Sequence, residues 1–295
     1  MKKIISCAIV FSFIFCSCAN SDMPKNEQPG NVSMKEKAMR FNEEGLILFH
    51  KGKFDAALKK FNEAAKSDPD EAEYRNNAGN CNLKLNRFPD AKKDFETAAA
   101  MHPEHPLYHF NLGLTHMFMS EPGKAIECFE EALSQDEKFF PALSQLGLVY
   151  YHQKKYHDAE SAWKRASAIK KDAEVENNLG MISLDRGDLG AAESQFNKAL
   201  NIERRFVLAH YNLGVLYQKQ NKLRDAEESY SAAIKLDPAH FTAYYNLALV
   251  QSAQGKKKDA IASLEKFIKC CPPSLEQPLN DARSKIKELK RSTLH

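Results

Sequence analysis

The sequence predicts an all-α solenoid of about seven stacked helix-turn-helix units followed by a C-terminal capping helix. Three observations predict it. Gly45, Gly79, Gly113 and Gly147 recur every 34 residues, Gly180 follows after 33 and Gly214 after a further 34, with Ala248 continuing the series. When each glycine is set at slot eight of a unit, slot twenty holds Ala57, Ala91, Ala125, Ala159, Ala192, Ala226 and Ala260. Slot fifteen holds Gly52, Asn86, Ser120, Lys154, Gly187, Asn221 and Gly255, five of which are Gly or Asn, the residues that tolerate the left-handed backbone ending a helix.

Taken in chain order, the first element is a leader. Lys2 and Lys3 precede a largely apolar run of twelve residues, Ile4 to Phe15, and then Cys16-Ser17-Cys18. This is the layout of a secretory signal peptide, and the run is short of the roughly 20 apolar residues a membrane-crossing helix needs. The stretch Phe15-Cys16-Ser17-Cys18 resembles the lipobox of bacterial lipoproteins, with Phe15 in place of the usual aliphatic residue, which implies cleavage before Cys18 and lipidation of its thiol. Residues 1–18 are therefore expected to be a lipoprotein-type signal peptide. Residues 19–35, rich in Asn, Ser, Asp, Pro and Gly up to Ser33, read as a flexible tether. About 15 coil residues would hold a folded body some 20 Å from the lipid on average.

The repeats occupy residues 36–273. Slot twenty-four carries Phe61, Phe95, Phe129, Trp163, Phe196, Tyr230 and Leu264, and slot twenty-seven carries Ala64, Ala98, Ala132, Ala166, Ala199, Ala233 and Phe267. Slots twenty, twenty-four and twenty-seven share one face of the second helix, where alanine lets a neighbouring helix approach and the aromatic fills the gap; glycine at slot eight is expected to do the same for the first helix. Pro69, Pro103, Pro238 and Pro272 stand at slot thirty-two, whereas Glu137, Lys171 and Arg204 replace proline at three successive central junctions. A bend of the superhelix is expected there.

Small residues at slots eight and twenty, an aromatic at twenty-four, alanine at twenty-seven and proline at thirty-two resemble the tetratricopeptide repeat. The resemblance implies a right-handed superhelix whose first helices line a concave face, with slots two, five, nine and twelve pointing into it. A hairpin cannot bury its apolar face alone, so the ends need covering. Residues 274–295 supply the C-terminal cap and tail: Leu279, Ala282, Ile286 and Leu289 form one helical stripe, with Arg283, Lys285, Lys287 and Lys290 elsewhere.

The composition narrows the function. The formal charge is +3, and +1 without Lys2 and Lys3, too small a basic excess to neutralise a row of phosphates, so nucleic acid is not the expected partner. Cys81, Cys128, Cys270 and Cys271 show no CxxC spacing for zinc, redox chemistry or haem. His102, His105, His109 and His116 are the one cluster with a metal-like spacing, but Pro103 and Pro106 put the first two in a junction and no carboxylate or cysteine accompanies them at matching spacing, so no metal is expected. Phosphate-loop, nucleophile-elbow, zinc-protease and dinucleotide fingerprints are absent; neither catalytic residue nor cofactor is expected.

A binding role remains, and the resemblance maps it. The implied concave face carries Asn42, Asn76, Phe110, Asn177, Tyr211 and Tyr245 at slot five, and Leu46, Asn80, Leu114, Leu148, Met181, Val215 and Leu249 at slot nine. Neighbouring slot six adds Asn77, Asn111, Asn178, Asn212 and Asn246, which either face the groove or bridge helices within the solenoid. Apolar and aromatic side chains interspersed with amides suit a peptide segment, whose backbone needs donors and acceptors and whose side chains need pockets. The clamp by which some tetratricopeptide proteins hold a chaperone's C-terminal carboxylate needs lysine at slot five; none stands there, so that binding is not expected. The expectation is a scaffold for another protein or peptide in the bacterial cell envelope, touching the membrane through its lipid anchor only, in the outer-membrane layer facing the periplasm or the surface. The alternatives are a small-ligand or solute-binding component of a transport system, and a cytoplasmic adaptor if the leader is not processed.

Overall fold

The computed structural model describes residues 33–291; the signal peptide with Cys18, most of the tether and the last four residues of the tail lie outside the described residues. Repeat one consists of α1 (Met34–His50) and α2 (Phe54–Ser67), repeat two of α3 (Ala72–Lys84) and α4 (Phe88–Met101), and repeat three of α5 (Pro106–Phe118) and α6 (Pro122–Gln135). Repeat four is α7 (Phe140–His152) with α8 (Tyr156–Ile169), and repeat five α9 (Ala173–Asp185) with α10 (Leu189–Ile202). Repeat six is α11 (Val207–Lys219) with α12 (Leu223–Leu236), and repeat seven α13 (Phe241–Ala253) with α14 (Lys257–Cys270), before α15 (Glu276–Arg291). Each helix packs mainly on its neighbours in sequence, the contact pattern of a solenoid.

Helix α1 begins at Met34, inside the stretch read as tether, because Ser33 and Glu36 form a reciprocal capping box there. Within every hairpin the turn is closed identically. Gly52, Asn86, Ser120, Lys154, Gly187, Asn221 and Gly255 all have φ between 58° and 81°. The next residue's N–H reaches back to the carbonyl five positions earlier, from Lys53 to Leu48 in the first turn to Lys256 to Gln251 in the last. That 6→1 closure satisfies carbonyls the helix end would otherwise orphan, and it forces the left-handed residue even where the sequence supplies Ser120 or Lys154.

The periodic slots form the core. All seven slot-twenty alanines are fully buried, as are the slot-twenty-four side chains from Phe61 to Leu264. Slot eight explains itself inside one hairpin, not between neighbours as the sequence pattern suggested. A Cβ on Gly45, Gly79, Gly113, Gly180 or Gly214 would lie 2.5–2.7 Å from the ring at slot twenty-four of the same hairpin. Repeat seven pairs Ala248 with Leu264, a smaller side chain that leaves room for the methyl group. In repeat four the ring is Trp163, whose indole N–H also donates to the Ser144 carbonyl at 3.0 Å.

At the central junctions the backbone sorts the three missing prolines into two kinds. Asp136 and Glu203, before Glu137 and Arg204, have φ/ψ of −142°/99° and −134°/97°, matching Asp68 and Asp237 before Pro69 and Pro238 at −137°/90° and −128°/93°. The junction at Lys171 differs. Residues 170–172 are one fewer than the other connections between repeats, which locates the short step of the sequence period, and Asp172 caps α9 through the N–H groups of Glu174 and Val175. At the far end Leu279, Ala282 and Leu289 of α15 are buried with Leu264 and Phe267 of α14.

Candidate functional site

The first helices bring the slot-five, slot-six and slot-nine side chains onto one face, and the amides there pair in a repeating way. Asn77 donates its amide to the Asn42 oxygen at 3.0 Å, Asn111 to Asn76 at 2.7 Å, Asn212 to Asn177 at 2.8 Å and Asn246 to the Tyr211 hydroxyl at 3.0 Å. Every one of these bonds spans 35 residues, from slot six of one repeat back to slot five of the repeat before. They form rungs of a ladder that joins repeats one to three, and again repeats five to seven. Asn77, Asn111, Asn212 and Asn246 thus bridge helices.

Between the rungs sit rings. Phe110 packs on Phe129 and on Phe139 with centroids 5.7 Å apart in both pairs. Tyr211 lies 5.7 Å from Tyr230 and 4.9 Å from His240, and Tyr245 lies 5.2 Å from Phe267. Each slot-five aromatic therefore rests on the core ring of its own hairpin, which fixes its orientation before anything binds. Burial pushes the Tyr230 phenol up and the His240 imidazole down, so both are neutral around pH 7.

Of the positions named from the sequence, Asn42, Leu46, Phe110, Leu148, Met181, Tyr211, Val215, Tyr245 and Leu249 are partly exposed, whereas Asn76, Asn77, Asn80, Asn111, Leu114 and Asn177 are buried. Asn177 also donates to the Met181 sulfur at 3.7 Å. Asn80 is the exception among slot-nine residues: it is 5% exposed and its side-chain oxygen meets no donor. Gln145, at slot six of repeat four, escaped the sequence reading because it is not an asparagine.

The four junction histidines do not converge. His102 contacts Glu104 at 3.2 Å, His109 the Pro103 carbonyl at 2.7 Å, His116 the Glu121 carboxylate at 2.7 Å, and His105 stacks on Tyr108. Among the described residues no three His, Cys, Asp or Glu side chains are grouped to hold a metal ion, and no helix is long and apolar enough to cross a membrane. Cys81, Cys128, Cys270 and Cys271 are free thiols. On the side of the second helices, a cavity of about 350 Å³ opens between repeats three and four, walled by Glu130, Ser134, Tyr150, Asp158 and Arg165.

Models of the tetratricopeptide repeat match residues 42–91, 82–117 and 211–274, residues 107–139 and 173–206, and residues 142–173. No curated protein sequence matches the chain. Among solved structures it is similar to a chain of the APC/C hetero-tetramer Cut9-Hcn1, at 18% identity and a TM-score of 0.66 over 88% of this chain and 49% of that one, so it spans about half that relative's length. A tetratricopeptide repeat protein from Parabacteroides merdae matches at 16% identity and a TM-score of 0.64, over 86% of this chain and 99% of that one. PilF of Pseudomonas aeruginosa matches at 20% identity and a TM-score of 0.63, over 72% and 97% of the two chains. At these identities the likeness is one of fold.

Proposed function

The chain belongs to the tetratricopeptide repeat family, and from that membership we propose that it is a non-catalytic scaffold holding a peptide segment of another protein on its first-helix face, tethered to the bacterial cell envelope through Cys18. The fold and its relatives support the coarser statement, a protein–protein interaction scaffold. The finer one rests on a single observation: Phe110, Tyr211 and Tyr245 are partly exposed rings, each seated on a buried aromatic of its own hairpin, on the same face as the asparagine ladder. Preformed aromatic platforms beside neutral amides offer an extended peptide both side-chain pockets and backbone partners without prior ordering of the receptor. YrrB, described as a tetratricopeptide protein with an unusual peptide-binding site, shares the fold at 19% identity and a TM-score of 0.50 over 64% of this chain and 97% of its own. The leader favours an envelope location, because Phe15 to Cys18 resembles a lipobox.

Two measurements test the proposal. A photo-crosslinking residue at Phe110 or Tyr211 should capture polypeptide, identified by mass spectrometry; adducts that are lipids, or that form only from the opposite side at Tyr150, would overturn the groove. Metabolic labelling with a fatty-acid analogue should be lost on Cys18→Ala. Labelling that survives the change would overturn the anchor.

A further inference from the structure

The asparagine ladder has six junctions to cross and crosses four. Both missing rungs involve repeat four. At the first, Gln145 stands at slot six ready to donate, but the slot-five position behind it is Phe110, which has no acceptor. At the second, Asn178 faces back toward Ser144, whose hydroxyl sits one bond closer to its own backbone than an asparagine oxygen, and no bond forms between the two. The single hydrogen bond of Asn178 is a long one, accepted from Asn177 at 3.4 Å. The Ser144 hydroxyl lacks even the bond that Thr115, Ser183 and Ser229 make to the carbonyl four residues earlier, at 2.8, 3.2 and 2.7 Å. Elsewhere the amides of this face are consumed by the fold; here a side-chain amide, a hydroxyl and a second amide are partly exposed with hydrogen-bonding capacity to spare.

Given the groove reading above, we propose that repeat four is the window at which the bound peptide is read. Gln145, Ser144 and Asn178 take the N–H and C=O groups of an extended backbone in place of the absent rungs, and an aromatic or large aliphatic side chain of that peptide seats against Phe110 and Leu148. The chemistry fits a peptide group, which presents one donor and one acceptor per residue and bears no charge. None of Phe110, Ser144, Gln145, Leu148 and Asn178 is ionisable, so neither a carboxylate nor a phosphate finds a counter-charge among them. The remaining repeats then serve to hold the window's shape, their amides closed on one another.

The test closes the open rung. Ser144→Asn gives Asn178 the acceptor that Asn177 gives Asn212, and is expected to raise the melting temperature while weakening the peptide. Asn212→Ala opens a closed rung and is expected to do the reverse, lowering the melting temperature and leaving affinity within about twofold, below the cost of one hydrogen bond. The probe is a peptide selected on the full chain from a phage-displayed random dodecapeptide library, its affinity read by fluorescence anisotropy. Loss of one or two hydrogen bonds predicts affinity about tenfold weaker for Ser144→Asn and for Gln145→Leu. If Ser144→Asn fails to fold, Gln145→Leu decides alone. A peptide that crosslinks at Tyr211 yet binds both variants as tightly as the unaltered chain overturns this inference and leaves the groove standing. A peptide indifferent to Ser144→Asn, Gln145→Leu and Tyr211→Ala alike, or a library that yields no peptide, overturns both.

Discussion

Asn80 is a buried amide at a position filled in the other six repeats by leucine, methionine or valine, and its carbonyl oxygen has no donor. A buried acceptor without a partner costs about 1–3 kcal/mol relative to a satisfied one. Leucine fits the equivalent pocket at Leu46, Leu114, Leu148 and Leu249, so Asn80→Leu is expected to raise the unfolding free energy by roughly 1 kcal/mol, read from the urea midpoint at unchanged slope. A lower midpoint would mean that the amide has a partner the fold itself supplies. The sequence displays the oddity, an asparagine in an aliphatic column, but not its cost, because satisfaction depends on which groups surround the oxygen. The ladder was hidden for a different reason. Its bonds join residues 35 apart, one more than the repeat, so comparing like slots in successive units never sets the two partners side by side.

At the scale of the helix, the ends show how one geometry is reached with unlike residues. Asp172 and Asp188 cap α9 and α10 with carboxylates, whereas α13 is capped by His240, whose Nδ1 accepts the Ala243 N–H at 3.3 Å. A protonated imidazole cannot accept, and burial already lowers the His240 pKa from 6.5, outweighing the opposing pull of Asp237. Below that value the unfolded chain binds the proton more readily than the folded one, so stability falls as pH drops through about 6.5. His105, depressed chiefly by burial as well, adds a contribution of the same sign. The melting temperature is expected to decline between pH 7 and pH 5, and His240→Asn, which keeps a capping oxygen and does not titrate, should make the decline shallower. An equally steep decline in the variant would remove His240 from the account. The turns were more legible than the caps: slot fifteen marked every hairpin, because a left-handed residue is demanded by backbone geometry and Gly and Asn meet that demand at least cost.

Across the whole molecule, the hairpin count, the core slots and the capping helix were all readable, since a period of 34 repeated seven times leaves little freedom. The expected central bend was only partly placed. Glu137 and Arg204 lack proline in junctions whose backbone is already shaped for it, so Glu137→Pro and Arg204→Pro are each expected to stabilise the chain by about 0.4–1 kcal/mol through the unfolded state. Lys171→Pro, in the shortened connection where Lys170 has ψ of 135°, is expected to gain less or to destabilise. Thermal denaturation of the three variants checks this; equal gains at all three would erase the distinction between the junctions, and with it the case for a bend at residues 170–172. The distinction was out of reach beforehand because a missing proline says nothing about the angles its replacement adopts.

The pairing of slot eight with slot twenty-four bears on how such a chain can be rearranged by recombination. Each glycine and its ring belong to one hairpin, separated by 16 residues, while the bonds between units are single amide rungs that two junctions already do without. A crossover at a junction transfers glycine and ring, or Ala248 and Leu264, as a matched set. A crossover at the hairpin turn joins the first helix of one unit to the second helix of another and can set a methyl group against a phenyl ring with no space for both. The whole hairpin, from junction to junction, is therefore the piece that duplication or deletion can move without breaking its own core, and the array is free to change length in steps of about 34 residues.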